Sequence, residues 1–169
     1  MNLLLTHGYF LFDDPKELQI MKPYVPLGLL YLSSHLRQEG FAVDIYDSTF
    51  GSKQELFALI RQGPPAVLGI YANLMTRLNV LEIVRCGHEA GWTVVVGGPE
   101  PANYAEEYLR HGVDVVIAGE GELALERLLR SNGNRAAWAT IGSLIFVADD
   151  GSLIRTDSSP LIRNLDAQP

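Results

Sequence analysis

Short apolar runs alternate along the chain with longer segments in which apolar residues recur three and four positions apart. The short runs predict five strands, at residues 2–6, 41–47, 66–71, 93–96 and 113–118. The longer segments predict five helices, at residues 27–38, 53–61, 77–90, 104–110 and 122–129. Gly40, Gly63, Gly91 and Gly112 each follow a predicted helix, where glycine commonly ends the helix because it accepts a positive φ. This alternation is typical of βα units around a parallel sheet.

The pattern changes after the last predicted helix. Residues 142–148 and 152–156 predict two antiparallel strands, because the Asp-Gly pair at 150–151 favours a hairpin turn. We therefore predict an α/β fold: a flavodoxin-like (Rossmann-like), doubly wound, five-stranded parallel sheet of order 2-1-3-4-5 with a C-terminal β-hairpin appendage. The predicted divisions are 1–135 for the Rossmann-like domain, 136–158 for the hairpin extension and 159–169 for a linker toward a further domain.

The composition is that of a folded globular protein, with 47% hydrophobic and 20% charged residues over 169 positions. The net charge of −7 comes without a cluster of lysines and arginines, which argues against a nucleic-acid partner. No apolar run reaches the roughly 20 residues of a membrane span, so we expect a cytoplasmic protein. The single cysteine, Cys86, falls in a helical apolar pattern, which predicts a core residue and leaves no cysteines for a disulfide or a metal cluster.

Ligands of such a fold bind beyond the carboxyl ends of the strands, so the loops at that edge form the candidate site. The first loop, residues 7–26, is far longer than the roughly two to six residues usual for such connections, and both a functional loop and a partly disordered insertion fit that length. Gly97-Gly98 follows the fourth strand within VVVGGPEP, where the glycines either admit a ligand close to the backbone or only form a tight turn. Gly119-Glu120-Gly121 follows the fifth strand, and glycines at two adjacent strand ends favour a large ligand along this edge.

Motifs of enzymatic chemistry are missing from the sequence. It contains no GxGxxG after the first strand and no GxxxxGK[ST], GxSxG or HExxH, so no catalysis is predicted for this chain. His35, His88 and His111 lie on predicted helices away from the strand tips and are interpreted as surface or capping residues. Only His7 lies where a ligand could use it. A phosphoacceptor receiver domain is disfavoured, because the third strand does not end on aspartate and the fifth does not lead to lysine.

Several short segments follow one another along the chain in an order that is typical of one family. They are PLGLLYL at 26–32 followed by Leu36 and Gly40, VDIYD at 43–47, GGPE at 97–100, and VDVV at 113–116 leading to GEGE at 119–122. Together they resemble the N-terminal cobalamin (B12)-binding domain of B12-dependent radical SAM proteins. The similarity is greatest to the Mg-protoporphyrin IX monomethyl ester oxidative cyclase and hopanoid-modifying branches. It covers nearly the whole chain, and residues 162–166 look like the connector that precedes the radical SAM domain in such proteins.

The resemblance implies a domain that holds the corrin ring of cobalamin over the carboxyl edge of the sheet, with the nucleotide tail beside Gly97 and Gly98. The parent protein would add a radical SAM domain in cis, with a [4Fe-4S] cluster and S-adenosylmethionine, for methyl transfer or oxidative cyclisation. We expect Gly98→Val to weaken cobalamin binding and to leave the fold intact. The implied cofactor-binding residues are Thr6, His7, Gly8, Tyr24, Pro26, Leu27, Gly28, Tyr71, Ala72, Asn73, Leu74, Gly97, Gly98, Pro99, Glu100, Gly119, Glu120 and Gly121.

This sequence departs from the family pattern at the cobalt ligand. Cobalamin domains that ligate cobalt use DxHxxG after the first strand, whereas the residues around His7 lack the Asp and the Gly, so no Asp partner is expected to orient the imidazole. We therefore prefer base-off binding without a protein histidine, with His7 as a cobalt ligand kept as the alternative. The serine of the family's SxL stretch would fall near Ala72-Asn73-Leu74 and is absent. A flavodoxin-like regulatory or interaction domain with a degenerate pocket remains an alternative function, and a nucleotide- or flavin-binding enzyme domain is a third.

Overall fold

Seven strands form one continuous sheet in the computed structural model, which describes residues 2–23 and 25–159. The strands are β1 (Asn2–His7), β2 (Ala42–Tyr46), β3 (Val67–Tyr71), β4 (Thr93–Gly97), β5 (Val115–Ile117), β6 (Leu144–Val147) and β7 (Leu153–Arg155). Strands β1 to β5 are parallel in the order β2-β1-β3-β4-β5, which confirms the predicted topology. Tyr24 and all of the predicted linker except Ser159 lie outside the described residues.

Within this described part of the chain, the strands are connected by six α-helices: α1 (Pro15–Ile20), α2 (Leu27–Gln38), α3 (Lys53–Gln62), α4 (Arg77–Glu89), α5 (Ala105–Arg110) and α6 (Glu122–Arg130). All but α1 were predicted. Helix α1 lies in the long first loop, where Pro15 opens the helix and the carboxylate of Asp14 accepts hydrogen bonds from the backbone N–H groups of Lys16 and Glu17. A local capping signal therefore orders part of a loop that periodicity alone left unassigned.

The helices cover both faces of the sheet, as a doubly wound fold requires. Successive side chains of a strand point to opposite faces, so β1 directs Leu3 and Leu5 to one face and Leu4 to the other. Helices α2 and α6 pack on the first of these faces, which is called the α2–α6 face below. Helices α3, α4 and α5 pack on the opposite face. Cys86 is buried against that second core, as predicted, and burial raises the pKa of its thiol.

The C-terminal hairpin continues the sheet instead of standing beside it. Strand β6 pairs antiparallel with β5 through Ile117 and Leu144, and β7 pairs antiparallel with β6. Trp138, Leu144 and Phe146 are buried in the core of the α2–α6 face, and the rings of Trp138 and Phe146 meet edge to face with centroids 5.6 Å apart. The sheet therefore has seven strands where five were predicted with an appendage, because the free edge of β5 accepts the apolar hairpin.

Two local predictions are wrong. His35 was interpreted as a surface or capping residue, but it is 8% exposed, and its Nε2 lies 3.1 Å from Oε2 of Glu126 because α2 packs directly against α6. Gly63 was expected to take a positive φ, but its φ is −72°. Glycine at position 63 is instead favoured by close packing, since a Cβ there would lie 3.0 Å from the carbonyl oxygen of Leu59 and 3.2 Å from the Trp92 ring.

Candidate cofactor groove

The strand ends on the α2–α6 face form a row of three neighbouring residues at the carboxyl edge of the sheet. The parallel register places His7 beside Tyr71 and Tyr71 beside Gly97. The row below it, farther from the edge, holds Leu5, Gly69 and Val95 on the same face. Two of these positions are glycines, so the face of the sheet is hollow at the place where α2 and α6 approach it.

A cavity of about 240 Å³ occupies this hollow between α2, α6 and the sheet. Apolar side chains from both helices and from the sheet line it, and the loop after β5 contributes glycines and carboxylates at its rim. The lining residues are Leu5, Gly28, Leu29, Leu32, Gly69, Ile70, Tyr71, Val95, Gly97, Gly98, Ile117, Gly119, Glu120, Gly121, Glu122 and Leu125. We call this cavity the inner cavity.

A second cavity of about 180 Å³ lies between the first loop and the start of α4. Its lining residues are His7, Tyr9, Val25, Pro26, Leu27, Gly28, Leu29, Thr49, Tyr71, Asn73 and Thr76. Gly28, Leu29 and Tyr71 line both cavities, so the two are adjacent. Together they form one groove along the carboxyl edge, within the range of roughly 300–1,000 Å³ that small-molecule sites occupy.

Gly97 and Gly98 are needed for different reasons. Gly98 has a φ of +118°, and a Cβ on it would lie 2.2 Å from the backbone oxygen of Ala72, so the turn itself requires glycine there. The φ of Gly97 is not positive, and a Cβ on it would lie no closer than 3.9 Å to any described atom, the nearest being Cβ of Ile117. Neither backbone strain nor packing therefore explains the glycine at position 97. The remaining explanation is that the missing side chain keeps space open in the inner cavity.

The prediction that Gly98→Val leaves the fold intact is therefore wrong. A side chain at this position collides with backbone, which cannot move aside as a flexible side chain can. The two loops are joined at this point, because the N–H of Ala72 donates a 2.8 Å hydrogen bond to the carbonyl oxygen of Gly97. The local alternatives for VVVGGPEP both apply: Gly98 makes the tight turn, and Gly97 leaves the space.

Both ring nitrogens of His7 are engaged. Nε2 lies 3.0 Å from Oδ1 of Asp47, at the end of β2, and Nδ1 accepts a 3.2 Å hydrogen bond from the backbone N–H of Tyr9. Nδ1 is thus unprotonated and Nε2–H donates to the carboxylate, which defines one neutral tautomer. Burial lowers the pKa of His7 in spite of the opposing effect of Asp47.

Asp47 corrects the expectation that His7 has no aspartate partner. The partner directly follows the neighbouring strand β2 and does not come from a DxHxxG motif. Burial alone would raise the pKa of Asp47, but hydrogen bonds from Thr49 and His7 outweigh it and hold that pKa below its ordinary value. The pair is therefore a neutral imidazole beside an ionised carboxylate at neutral pH.

The carboxylate of Glu100 faces away from the groove. Its Oε1 pairs with Nη2 of Arg77, at the start of α4, and its Oε2 accepts a 2.5 Å hydrogen bond from the hydroxyl of Tyr108, on α5. Tyr108 belongs to the core on the face opposite to the inner cavity. The guanidinium of Arg77 also lies over the Tyr104 ring, 4.1 Å from its centroid, and 3.6 Å from a carboxylate oxygen of Glu107.

The structure brings many of the predicted site residues to the groove. Those that line it are His7, Pro26, Leu27, Gly28, Tyr71, Asn73, Gly97, Gly98, Gly119, Glu120 and Gly121. Thr6, Gly8, Ala72, Leu74, Pro99 and Glu100 lie at the same edge without lining either cavity. Thr6, for example, points to the opposite face from His7, and its hydroxyl donates to the carbonyl oxygen of Tyr46. Tyr24 lies outside the described residues.

Sequence reasoning missed the floor of the inner cavity and the partners of the first loop. The floor is Leu5, Gly69 and Val95, and the glycine within the apolar run of β3 was the available signal, since an interior strand glycine often marks a close approach. Asn79 of α4 was also missed, and its Nδ2 donates a 2.8 Å hydrogen bond to the carbonyl oxygen of Gly8. No local pattern indicates a contact between residues so far apart in the chain.

The described residues hold neither a membrane-crossing helix nor a preformed metal cluster. No helix among them is long and apolar enough to cross a bilayer. Within residues 2–23 and 25–159, no group of three or more His, Cys, Asp or Glu side chains is placed to hold a metal ion.

Comparison with known proteins adds a family and a set of similar folds. A sequence model of the B12 binding domain matches residues 20–129. The fold is similar to OxsB, a cobalamin-dependent S-adenosylmethionine radical enzyme solved with aqua-cobalamin and S-adenosylmethionine, with a TM-score of 0.75 and 19% identity over 95% of this chain and 22% of that chain. It is also similar to TsrM from Kitasatospora setae, a radical S-adenosylmethionine methyltransferase solved with cobalamin and a [4Fe-4S] cluster, with a TM-score of 0.74 and 20% identity over 99% of this chain and 30% of that chain. No curated protein matches the sequence.

The doubly wound sheet, with an open groove at its carboxyl edge, defines an α/β ligand-binding domain. The family match spans well over half of the chain, and the chain belongs to the B12-binding domain family. It spans less than a third of the length of the solved radical enzymes that share its fold.

Proposed function

We propose that the domain binds cobalamin in the groove and serves as the cobalamin module of a B12-dependent radical SAM protein. The corrin ring would lie over the carboxyl ends of β1, β3 and β4, and the nucleotide tail would enter the inner cavity. The observation that carries this proposal is Gly97, which leaves space in the cavity although neither its φ nor its packing demands glycine. A ligand that fills the space beside Gly97 would explain the glycine, because any side chain at this position would occupy that space.

The chemistry of the groove fits this cofactor. The inner cavity is mainly apolar, which suits the aromatic base of a nucleotide tail. Among its described lining residues the charged side chains are the carboxylates Glu120 and Glu122 at the rim, and no lysine or arginine lines either cavity. A corrin ring with a rim of neutral amides is compatible with such a surface. A nucleotide with a chain of several phosphates would usually meet basic side chains, so a polyphosphate ligand, one form of the third alternative, is disfavoured.

Base-off binding without a histidine ligand is part of the proposal. It is supported by the hydrogen bonds of His7, because Asp47 and the N–H of Tyr9 engage both ring nitrogens. A nitrogen that ligated cobalt would have to give up one of these bonds. In this interpretation His7 shapes the floor of the groove under the corrin ring and contributes no bond to the metal.

The chemistry of the parent protein would lie outside this chain. Bound cobalamin supplies a cobalt centre that can take part in methyl transfer or oxidative cyclisation. The single cysteine is buried and cannot hold a [4Fe-4S] cluster alone, so the cluster and the S-adenosylmethionine site would belong to a radical SAM domain in cis. Reading the coding sequence beyond Pro169 for CxxxCxxC tests this part directly, and its absence there would refute the assignment to a radical SAM protein. A cytoplasmic location stays a prediction.

The cofactor assignment is tested with hydroxocobalamin and the purified chain. We expect the cofactor to elute with the protein in gel filtration and its absorption spectrum to shift to the base-off form. Cobinamide, which lacks the nucleotide tail, should bind more weakly, because the inner cavity then stays unfilled. A chain that retains no cobalamin would instead favour the regulatory or interaction domain with a degenerate pocket. Equal affinity for cobalamin and cobinamide would leave the corrin site standing and refute the placement of the tail.

A further inference from the structure

The side chain of Glu100 follows the glycine turn but is directed away from the groove. It is only 7% exposed and lies on the side of α4 and α5, whereas the inner cavity lies on the α2–α6 face. Its two carboxylate oxygens are bound separately, one by Arg77 and the other by Tyr108. Such a carboxylate has its partners within the protein and is not free to contact a ligand in the groove.

The partners of Glu100 come from the elements that frame the groove. Arg77 is the first residue of α4 and directly follows the loop that contains Asn73 and Thr76, both of which line the second cavity. Glu100 itself lies three positions after Gly97, which lines the inner cavity. The cluster of Arg77, Glu100 and Tyr108 therefore joins the loop after β3, the loop after β4 and helix α5.

The loops after β3 and β4 are in direct contact, so their relative position depends on the cluster that joins them. The oxygen of Ala72 occupies the space where a side chain of residue 98 would lie, and the Ala72 N–H binds the oxygen of Gly97. A shift of the Glu100 loop would move Gly97 and Gly98 against Ala72. Burial raises the pKa of Tyr108, so its hydroxyl stays protonated and remains a donor to Glu100. Within the described residues, Nε of Arg77 is buried without a partner, so this guanidinium is held through its terminal nitrogens.

We propose that Glu100 is a positioning residue that, through Arg77 and Tyr108, holds the Gly97-Gly98 turn in the conformation that receives the nucleotide tail. This inference rests on the proposed function, since it concerns the same cofactor. It differs from the interpretation of Glu100 as a cofactor-binding residue, because the carboxylate acts through its two partners and does not touch the ligand.

Tyr108→Phe is the decisive variant, because the Tyr108 side chain is 1% exposed and lies in the opposite core, where it cannot touch a ligand in the groove. The substitution removes one hydroxyl and keeps the ring. Glu100→Gln removes the charge that pairs with Arg77. Asp114→Asn is the control variant. The Asp114 carboxylate pairs with Arg135 and accepts a hydrogen bond from the backbone N–H of Val94, but it lies at the opposite edge of the sheet.

The dissociation constants of the full chain for hydroxocobalamin and for cobinamide are measured, together with unfolding curves. We expect Tyr108→Phe and Glu100→Gln to raise the dissociation constant for cobalamin by about 10- to 100-fold, the range seen when hydrogen bonds that orient the ligands of metal sites are removed. The dissociation constant for cobinamide should stay unchanged. Asp114→Asn should change neither constant. If Glu100 and Tyr108 had only a structural role, the substitutions would weaken the binding of cobalamin and of cobinamide equally, or would weaken neither.

The outcomes separate the two proposals. A folded Tyr108→Phe variant with wild-type affinity for cobalamin would overturn the positioning role, and so would an equal loss for both ligands. If Glu100→Gln does not fold, Tyr108→Phe alone decides, with Glu100→Asp as a second variant that keeps the charge but shortens the reach toward Tyr108. If the wild-type chain binds no cobalamin, the proposed function fails, and this inference fails with it.

Discussion

Replacing Gly97 with valine gives the sharpest test of the groove. The substitution should be tolerated by the backbone, since the φ of Gly97 is not positive and its Cβ would lie 3.9 Å from the nearest described atom. Valine also suits a strand, so we expect the free energy of unfolding to change by no more than about 1 kcal/mol. The new methyl groups would project toward the inner cavity of about 240 Å³.

The effect on cofactor binding follows from that position. Forcing extra methyl groups into a filled site costs about 1–3 kcal/mol. With about 1.4 kcal/mol for each factor of ten, the dissociation constant for cobalamin should rise about 5- to 150-fold. Equilibrium titration with hydroxocobalamin, followed by absorbance, measures the affinity, and urea unfolding measures the stability of the same preparations.

Gly98→Ala is the matched control at the adjacent position. Its positive φ should cost about 1–3 kcal/mol for a residue with a side chain, and the contact of 2.2 Å with the oxygen of Ala72 should add to that loss. The two substitutions should thus have different effects: the one at position 98 should lower the stability of the fold, and the one at position 97 should weaken the binding of cobalamin. A folded Gly97→Val variant that binds cobalamin as tightly as the wild type would refute the placement of the tail.

Further predictions concern His7 and the hairpin. The folded-state pKa of His7 lies below its ordinary value of 6.5, so its contribution to stability is complete above that pH and is lost as the pH falls toward the folded-state pKa. Relative to His7→Gln, the free energy of unfolding of the wild type should fall by up to about 1.4 kcal/mol per pH unit within this window. Urea titrations from pH 7.5 to 5 measure both proteins, and the same pH dependence in both would contradict the prediction. His7→Gln should also leave the spectrum of bound cobalamin in the base-off form, whereas a spectral change would indicate ligation by His7. Trp138→Ala should destabilise the whole domain by about 3–5 kcal/mol, seen as one shifted transition in thermal unfolding, while a separate transition for the hairpin would contradict a shared core.

The order of strands and helices could be predicted because its signals are local. Strands with apolar side chains on both faces, helical spacing, and glycines such as Gly40 and Gly91 with φ of +86° and +81° all act within a few residues. The topology 2-1-3-4-5 then placed the candidate site at the carboxyl edge, and the glycines after β4 and β5 do line the groove found there.

Residue roles at that edge could not be predicted in the same way. Thr6 and His7 are neighbours in sequence but face opposite sides of the sheet, and only the register beside Tyr71 and Gly97 decides which side holds the cavity. The pairing of His7 with Asp47 spans 40 positions, and that of His35 with Glu126 spans 91. Such contacts depend on the packing of distant elements, which no local pattern records.

The sequence by itself thus determined the elements, their order and the edge at which a ligand would bind, because hydrophobic periodicity and turn residues are properties of short segments. The tertiary structure decided that Gly98 serves the turn while Gly97 faces the cavity, and that Glu100 points to Arg77 and Tyr108 instead of into the groove. The physical reason is that a side chain's role depends on the atoms around it. Those atoms come from strands and helices that meet only when the sheet has formed.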